Sequence, residues 1–254
     1  MFAKVTCIAS LIFVFVLALG SASWAQPAHP AACSNATLSG NSGFTITGTD
    51  ASGPTVAGGQ ITADGNGHFT GTVTSSEDGT VTDLADAKGT YAIKANCTGK
   101  GAITPKGGST SHFTFTVVSS GTELELVVTD SGTVQSGLVQ AQGAATCSTK
   151  GVQGTYGLQA TGTLVGLGQI ALNGQVKLHQ GVISGTVSGS VGGQTFTGEK
   201  LDGGYKVASN CQGGAVVSAN QEMLHLTLIV VNDGKEILFI DEDTGTVISG
   251  SLQQ

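Results

Sequence analysis

The residues able to do chemistry in this chain recur at matched places. His112 and His225, Glu123 and Glu236, and Asp130 and Asp243 each stand 113 positions apart. An imidazole beside a carboxylate is a general acid–base pair that works near neutral pH. Counting outward from the turn Asn232-Asp233-Gly234, Val231 faces Glu236 and His225 faces Glu242. The first copy has Thr129 where the second has Glu242, so this cross-strand pair is not repeated. Alternation puts His225 on the face of Thr227, opposite Leu226, Leu228 and Val230. Both histidines are therefore expected outside the core, as surface or binding residues. Tyr91 and Tyr205 each precede a cysteine by six residues. They are expected as core anchors near a disulfide, with rings able to line a cavity. No residue is assigned a catalytic role.

The other polar motifs read as structure. Asp241-Glu242-Asp243 offers oxygen ligands. A calcium loop, however, needs its acids to converge around a turn, and these alternate along a strand end. Asp64-Gly65-Asn66-Gly67 reads as a turn. No cysteine pair has the spacing of a zinc knuckle. Gly162 to Gly168 lacks the Lys-Ser/Thr and the following helix of a phosphate loop. No metal and no cofactor are expected.

Composition excludes whole classes. The net charge is −7 and all ten basic residues are lysine. Nucleic-acid binding needs clustered cations, so it is not expected. Gly, Ser and Thr fill 95 of 254 positions, which argues against helical bundles. A hydrophobic content of 39% with 11% charge argues against disorder. Lys4, the apolar run Val5 to Gly20 and Ser23-Trp24-Ala25 read as a signal peptide, 1–25. The run is short for a membrane span, so none is expected in the mature chain. Export implies a secreted, periplasmic or cell-surface location. Four cysteines follow the signal, an even number that suggests two disulfides.

The elements that position these residues form a tandem duplication. Cys33 to Cys147 and Cys97 to Cys211 both span 114 positions. Residues 112–141 and 225–254 share 13 identities in 30 positions, too many for two unrelated strands. Gly59-Gln60-Ile61 is aligned with Gly168-Gln169-Ile170 across a five-residue deletion, restored before Gly89-Thr90-Tyr91 meets Gly203-Gly204-Tyr205. Of three possible connectivities, duplication favours Cys33–Cys97 and Cys147–Cys211. The expected layout is a linker at 26–32, copy 1 at 33–142, a linker at 143–146 and copy 2 at 147–254. Alternating runs such as His112 to Val117, with turns every 8–12 residues, read as strands. Eight are expected in copy 1, near 37–49, 56–63, 67–75, 88–95, 99–105, 111–119, 122–130 and 133–141. Copy 2 repeats them, with Leu172-Asn173-Gly174 as a shortened form of the turn at Asp64. The expected fold is all-β: two tandem antiparallel eight-stranded meander barrels. Two β-sandwiches are the alternative, and one continuous sheet ranks third.

Cys33-Ser34-Asn35-Ala36-Thr37-Leu38-Ser39-Gly40, Gly59 to Gly67, Gly89-Thr90-Tyr91 and Asn96-Cys97-Thr98-Gly99 form an ordered set. It resembles exported, Gly/Thr-rich bacterial β-repeat proteins of the acidobacterial type. The resemblance covers both copies and implies a shared fold. Its motifs are turn and disulfide residues and carry no chemistry. In shape alone, the strand count is similar to lipocalin and allene oxide cyclase barrels, and fold does not transfer function. The expected function is a non-enzymatic exported module that binds a small apolar ligand, a glycan or a surface protein. A structural coat or matrix protein and a barrel-cavity isomerase or lyase are the alternatives.

Overall fold

The computed structural model describes residues 32–143, 147–219 and 222–254. The expected signal peptide, nearly all of the first linker and residues 144–146 lie outside the described residues. The first copy forms β1 (Ser39–Thr49), β2 (Pro54–Asp64), β3 (His68–Glu77), β4 (Thr80–Ile93), β5 (Thr98–Thr104), β6 (Ser111–Val118), β7 (Glu123–Val128) and β8 (Val134–Ala141). Each pairs antiparallel with the next, and β1 pairs back with β8, closing barrel 1. The second copy forms β9 (Gly154–Leu164), β10 (Gly168–His179), β11 (Val182–Val191), β12 (Gln194–Val207), β13 (Gln212–Ala219), β14 (Glu222–Val231), β15 (Glu236–Asp241) and β16 (Thr246–Gln253). Pairing of β9 with β16 closes barrel 2. The sheets close on themselves, so the sandwich and the continuous sheet are both overturned. Among the described residues, closure leaves no strand edge free to template aggregation.

Two sequence expectations are corrected. Residues 76–87 belong to a hairpin, because Asp78-Gly79 is a two-residue loop with both φ values positive. This is the Asp-Gly signal of a type I′ turn, and it joins Glu77 directly to Thr80. The alignment of the second strands is also corrected. Phe44 pairs with Gly59 and its counterpart Leu158 pairs with Gly174. Gly59-Gln60-Ile61 therefore corresponds to Gly174-Gln175-Val176, with no five-residue deletion. Leu172-Asn173-Gly174 lies inside β10, and the turn equivalent to Asp64-Gly65 is Gln180-Gly181.

The two barrels pack through faces that differ between copies. From Leu228 to Val231 of β14, along β15 and over the first half of β16, both sheet faces are buried. Inward residues such as Leu228, Val230, Ile237 and Phe239 fill barrel 2. Outward residues Ile229, Val231, Leu238, Ile240 and Val247 are equally buried. They lie on β1 and β2 of barrel 1, where Gly43 and Gly58 leave room. A Cβ on Gly43 would stand 2.7 Å from Val231 and closer still to Ile229. Polar contacts ring this seam: Ser76 Oγ donates to the Thr246 carbonyl at 2.5 Å, and Gln140 Nε2 to Glu236 Oε2 at 2.8 Å. The same face of barrel 1 carries Thr116, Glu125 and Val127 at the places of Ile229, Leu238 and Ile240, and it is open.

This packing makes the two copies respond differently to one change. Gly43→Ala overpacks the seam and is expected to cost about 1–3 kcal/mol. At the equivalent Gly157 a Cβ meets only the Gln253 carbonyl, at 3.8 Å. Gly157→Ala is therefore expected to shift stability by less than ~0.5 kcal/mol. Urea unfolding of both variants checks this, and equal shifts would remove glycine clearance as the basis of the seam.

Candidate functional site

Each barrel is shut at one end by the segment that precedes its first strand. In barrel 1, Cys33 bonds to Cys97, with their Cα atoms 5.0 Å apart. The Tyr91 hydroxyl donates to the Leu38 carbonyl at 2.8 Å and to the Asn35 carbonyl at 3.2 Å. Ile93 N donates to Asn35 Oδ1 at 2.8 Å. Barrel 2 repeats the device: Cys147 bonds to Cys211, and the Tyr205 hydroxyl donates to the Val152 and Thr149 carbonyls at 2.5 and 3.1 Å. Burial pushes both phenols above their ordinary pKa. Both tyrosines are buried, their hydroxyls pin the closing segment, and the ring of Tyr91 also forms part of a cavity wall. The two disulfides fit an oxidising, extracytoplasmic compartment.

At the other end the barrels diverge. Barrel 1 has an apolar cavity of ≈ 80 Å³, walled by Phe44, Ile61, Phe69, Tyr91, Phe115 and Leu126 among others. Phe44, Ile46, Ile103, Ser111 and Val128 are shared with a basin of ≈ 460 Å³ at the mouth. Thr55, Ala57, Thr82, Ser111 and Gln135 line that basin. Strand register identifies their counterparts in barrel 2. Thr55 and Gln135 both pair with Gly48, and Ile170 and Ile248 both pair with the equivalent Gly162. Ala57, Thr82 and Ser111 correspond in the same way to Leu172, Phe196 and Leu224. All five counterparts are packed into or against the core of barrel 2. Small or polar residues hold the mouth of barrel 1 open, and large apolar ones plug the same place in barrel 2. None of the five was singled out from the sequence. The signal is a size difference between copies at inward positions, and it needs the correct β10 register to be seen.

The rim of the basin is polar. Gln135 Nε2 donates to Thr55 Oγ1 at 2.9 Å. Asp50 and Glu77 also line it. The Ser52 hydroxyl donates to Asp50 Oδ1 at 2.5 Å, with the amides of Ser52 and Gly53 at 2.8 and 3.3 Å. These bonds hold the Asp50 carboxyl below the usual range, led by the Ser52 hydroxyl.

The histidines lie outside, as alternation requires, but their partners differ from expectation. His225 does face Glu242 in register, since Glu242 N donates to the His225 carbonyl at 2.8 Å. Its ring instead meets the next acid: Nδ1 lies 2.7 Å from Asp243 Oδ1, and His225 N donates to Asp243 Oδ2 at 2.8 Å. His112 makes the same two contacts with Asp130, at 2.8 and 2.7 Å. The pair is therefore duplicated, and both rings are more than half exposed. The amide and ring of His112 hold Asp130 below the usual carboxylate range. Burial opposes the same effect at Asp243, and the bonds from His225 outweigh it. Each carboxylate clips the open end of a hairpin, which is a structural task. Glu123 and Glu236 also part company: Glu236 is buried at the seam between Gln140 and Gln253.

Asp241 points into barrel 2 at the place of Val128, which lines the mouth of barrel 1. It is 1% exposed; its Oδ1 accepts from Asp243 N at 2.9 Å, and its Oδ2 has no hydrogen-bond partner among the described residues. Burial pushes its carboxyl up to about 6. A larger groove, ≈ 980 Å³, runs along the outside of barrel 1 beside Thr45, Thr47, Lys100, Thr114, Thr116 and Glu125. It is the open counterpart of the face with which barrel 2 docks.

No family model matches the chain, and no curated protein does. Among solved structures, a crystal structure of CghA covers 84% of this chain and 88% of its own, with 10% identity and a TM-score of 0.30. The crystal structure of CghA with Sch210972 covers 88% and 89%, again with 10% identity and a TM-score of 0.30. Likeness at this level carries no argument for this chain.

The buried Asp241 has a readable consequence. Its pKa is raised in the fold, so stability is lost as pH rises from about 4 to about 6, the loss is complete above that, and there is none when the group is protonated in both states. Asp241→Asn is expected to stabilise the protein by about 1–3 kcal/mol at pH 8. The gain should shrink to nothing by about pH 4, below which both states are protonated. Urea unfolding across that range checks it; a pH-independent difference would mean that the carboxylate is solvated.

Proposed function

We propose that the chain is an exported, non-enzymatic binding module in which barrel 1 carries a small apolar ligand and barrel 2 is its filled mate. The observation that carries this is an apolar cavity in one copy, bordered by a polar-rimmed basin that shares five of its lining residues. Concave sites with apolar walls and a few polar groups are where small molecules bind. The signal-like segment 1–25 and the two disulfides support export. An isomerase or lyase would need acid–base groups around the cavity. On the inner wall Tyr91 is the titratable residue, and its hydroxyl is bound to the carbonyls at the closed end.

Native mass spectrometry of protein made in an oxidising compartment tests this reading. The expected result is a mass four hydrogens below the reduced value, plus an adduct lost on denaturation. Thr82→Phe/Ser111→Leu, which copies the plug of barrel 2, should remove the adduct. A bare mass together with no uptake of hexanol would overturn the reading.

A further inference from the structure

We infer that the ligand of barrel 1 is an amphiphile with a compact apolar end and a neutral or positively charged polar group, and that anionic amphiphiles such as fatty acids are rejected. This rests on the container reading above. The inner cavity of ≈ 80 Å³ presents only apolar atoms. It is about half the size of the ~150 Å³ cavity known to take up benzene, so it accepts an end of a few carbons. The rest of the ligand must lie in the ≈ 460 Å³ basin, where the lining turns polar.

The charge at that basin has one sign. Asp50 and Glu77 both line it. Asp50 is kept ionised by the three bonds from Ser52 and Gly53. Lys106 is the basic residue of the loop whose Pro105 and Gly107 also line the basin, and it is turned to Asp86 at 3.6 Å. Among the described residues neither Asp50 nor Glu77 forms an ion pair. Carboxylates beside low-dielectric walls focus a negative potential into the opening. A ligand carboxylate drawn into the mouth would lose water and meet two like charges. A hydroxyl finds Ser111, Thr82 and the Thr55–Gln135 pair, and an ammonium gains from both acids.

Three probes that share one tail separate the contributions: hexylamine, hexanol and hexanoate, titrated by calorimetry at low salt. Hexylamine and hexanol are expected to bind, with hexanoate at least tenfold weaker. Asp50→Asn/Glu77→Gln should bring hexanoate within about twofold of hexanol. Glu77→Gln alone, at an exposed position, should recover part of that change if the double variant does not fold. Thr82→Phe/Ser111→Leu should abolish binding of all three. Equal binding of the three to the unmodified protein, still lost in the plugged variant, would overturn the selectivity and leave the container standing. Failure of hexanoate to recover in the rim variants would also overturn it. No binding of any probe would overturn the container itself.

Discussion

Closure of eight strands is the constraint on which the rest depends. An eight-stranded barrel is just wide enough for its own side chains to fill. Whether it is solid or hollow is then decided by the volume of a few inward residues, with no change of fold. Both copies have the same strand order, the same base disulfide and the same tyrosine pin. With the base held alike, the mouths differ: Thr55, Ala57, Thr82, Ser111 and Gln135 stand against Ile170, Leu172, Phe196, Leu224 and Ile248. Leaving apolar walls unfilled forgoes dispersion contacts, a cost that close-packed interiors normally avoid. Barrel 1 bears that cost, and barrel 2, with Tyr156, Ile237 and Val230 fully buried, does not.

The seam between the barrels divides the copies in a second way. Residues on the outside of a barrel ordinarily face water, and strands then alternate apolar with polar. β7 keeps that alternation, with Leu124, Leu126 and Val128 inside and Glu125 outside. β15 loses it and is buried along its whole length. The same duplicated strand therefore serves as a solvent face in one copy and a packing face in the other. Only glycine at positions 43 and 58 lets β1 and β2 receive the branched side chains of β14 and β15. Hollow barrel and docked barrel are thus braced together, and the filled one covers part of β1 and β2 in the wall of the other.

Much of this was legible in the residues. The disulfide pairing followed from duplication because one connectivity treats both copies alike. Eight alternating runs with short turns pointed to barrels because a meander of that length can close. The closed base was half visible: Tyr91 and Tyr205 stood out by spacing, while their carbonyl partners depend on where the preceding segment crosses the barrel end. The His112 and His225 faces were correct, and the register to Glu242 was correct as well. The partner was missed because a side chain at a strand end can reach back past its neighbour, and Asp130 and Asp243 do so to bind an amide and a ring together. The mouth stayed hidden because Leu172-Asn173-Gly174 imitates a turn. Asn-Gly favours turns by backbone preference, yet here Gly174 sits in a strand where a Cβ would strike the Thr186 carbonyl.

The His–Asp pairs and the cavity mouth lie at the same end of barrel 1 and belong to different tasks. Ser111 and His112 are consecutive, so the strand turns one inward and the other outward. The inward residue borders the basin, and the outward one is tied to Asp130, which fixes where the preceding loop ends and β6 begins. Barrel 2 keeps the tie and replaces the inward serine by Leu224. Retention of the clip in a plugged barrel separates it from ligand contact. Its role is to hold the strand end in place in both copies, while the inward residue beside it is Ser111 in one and Leu224 in the other.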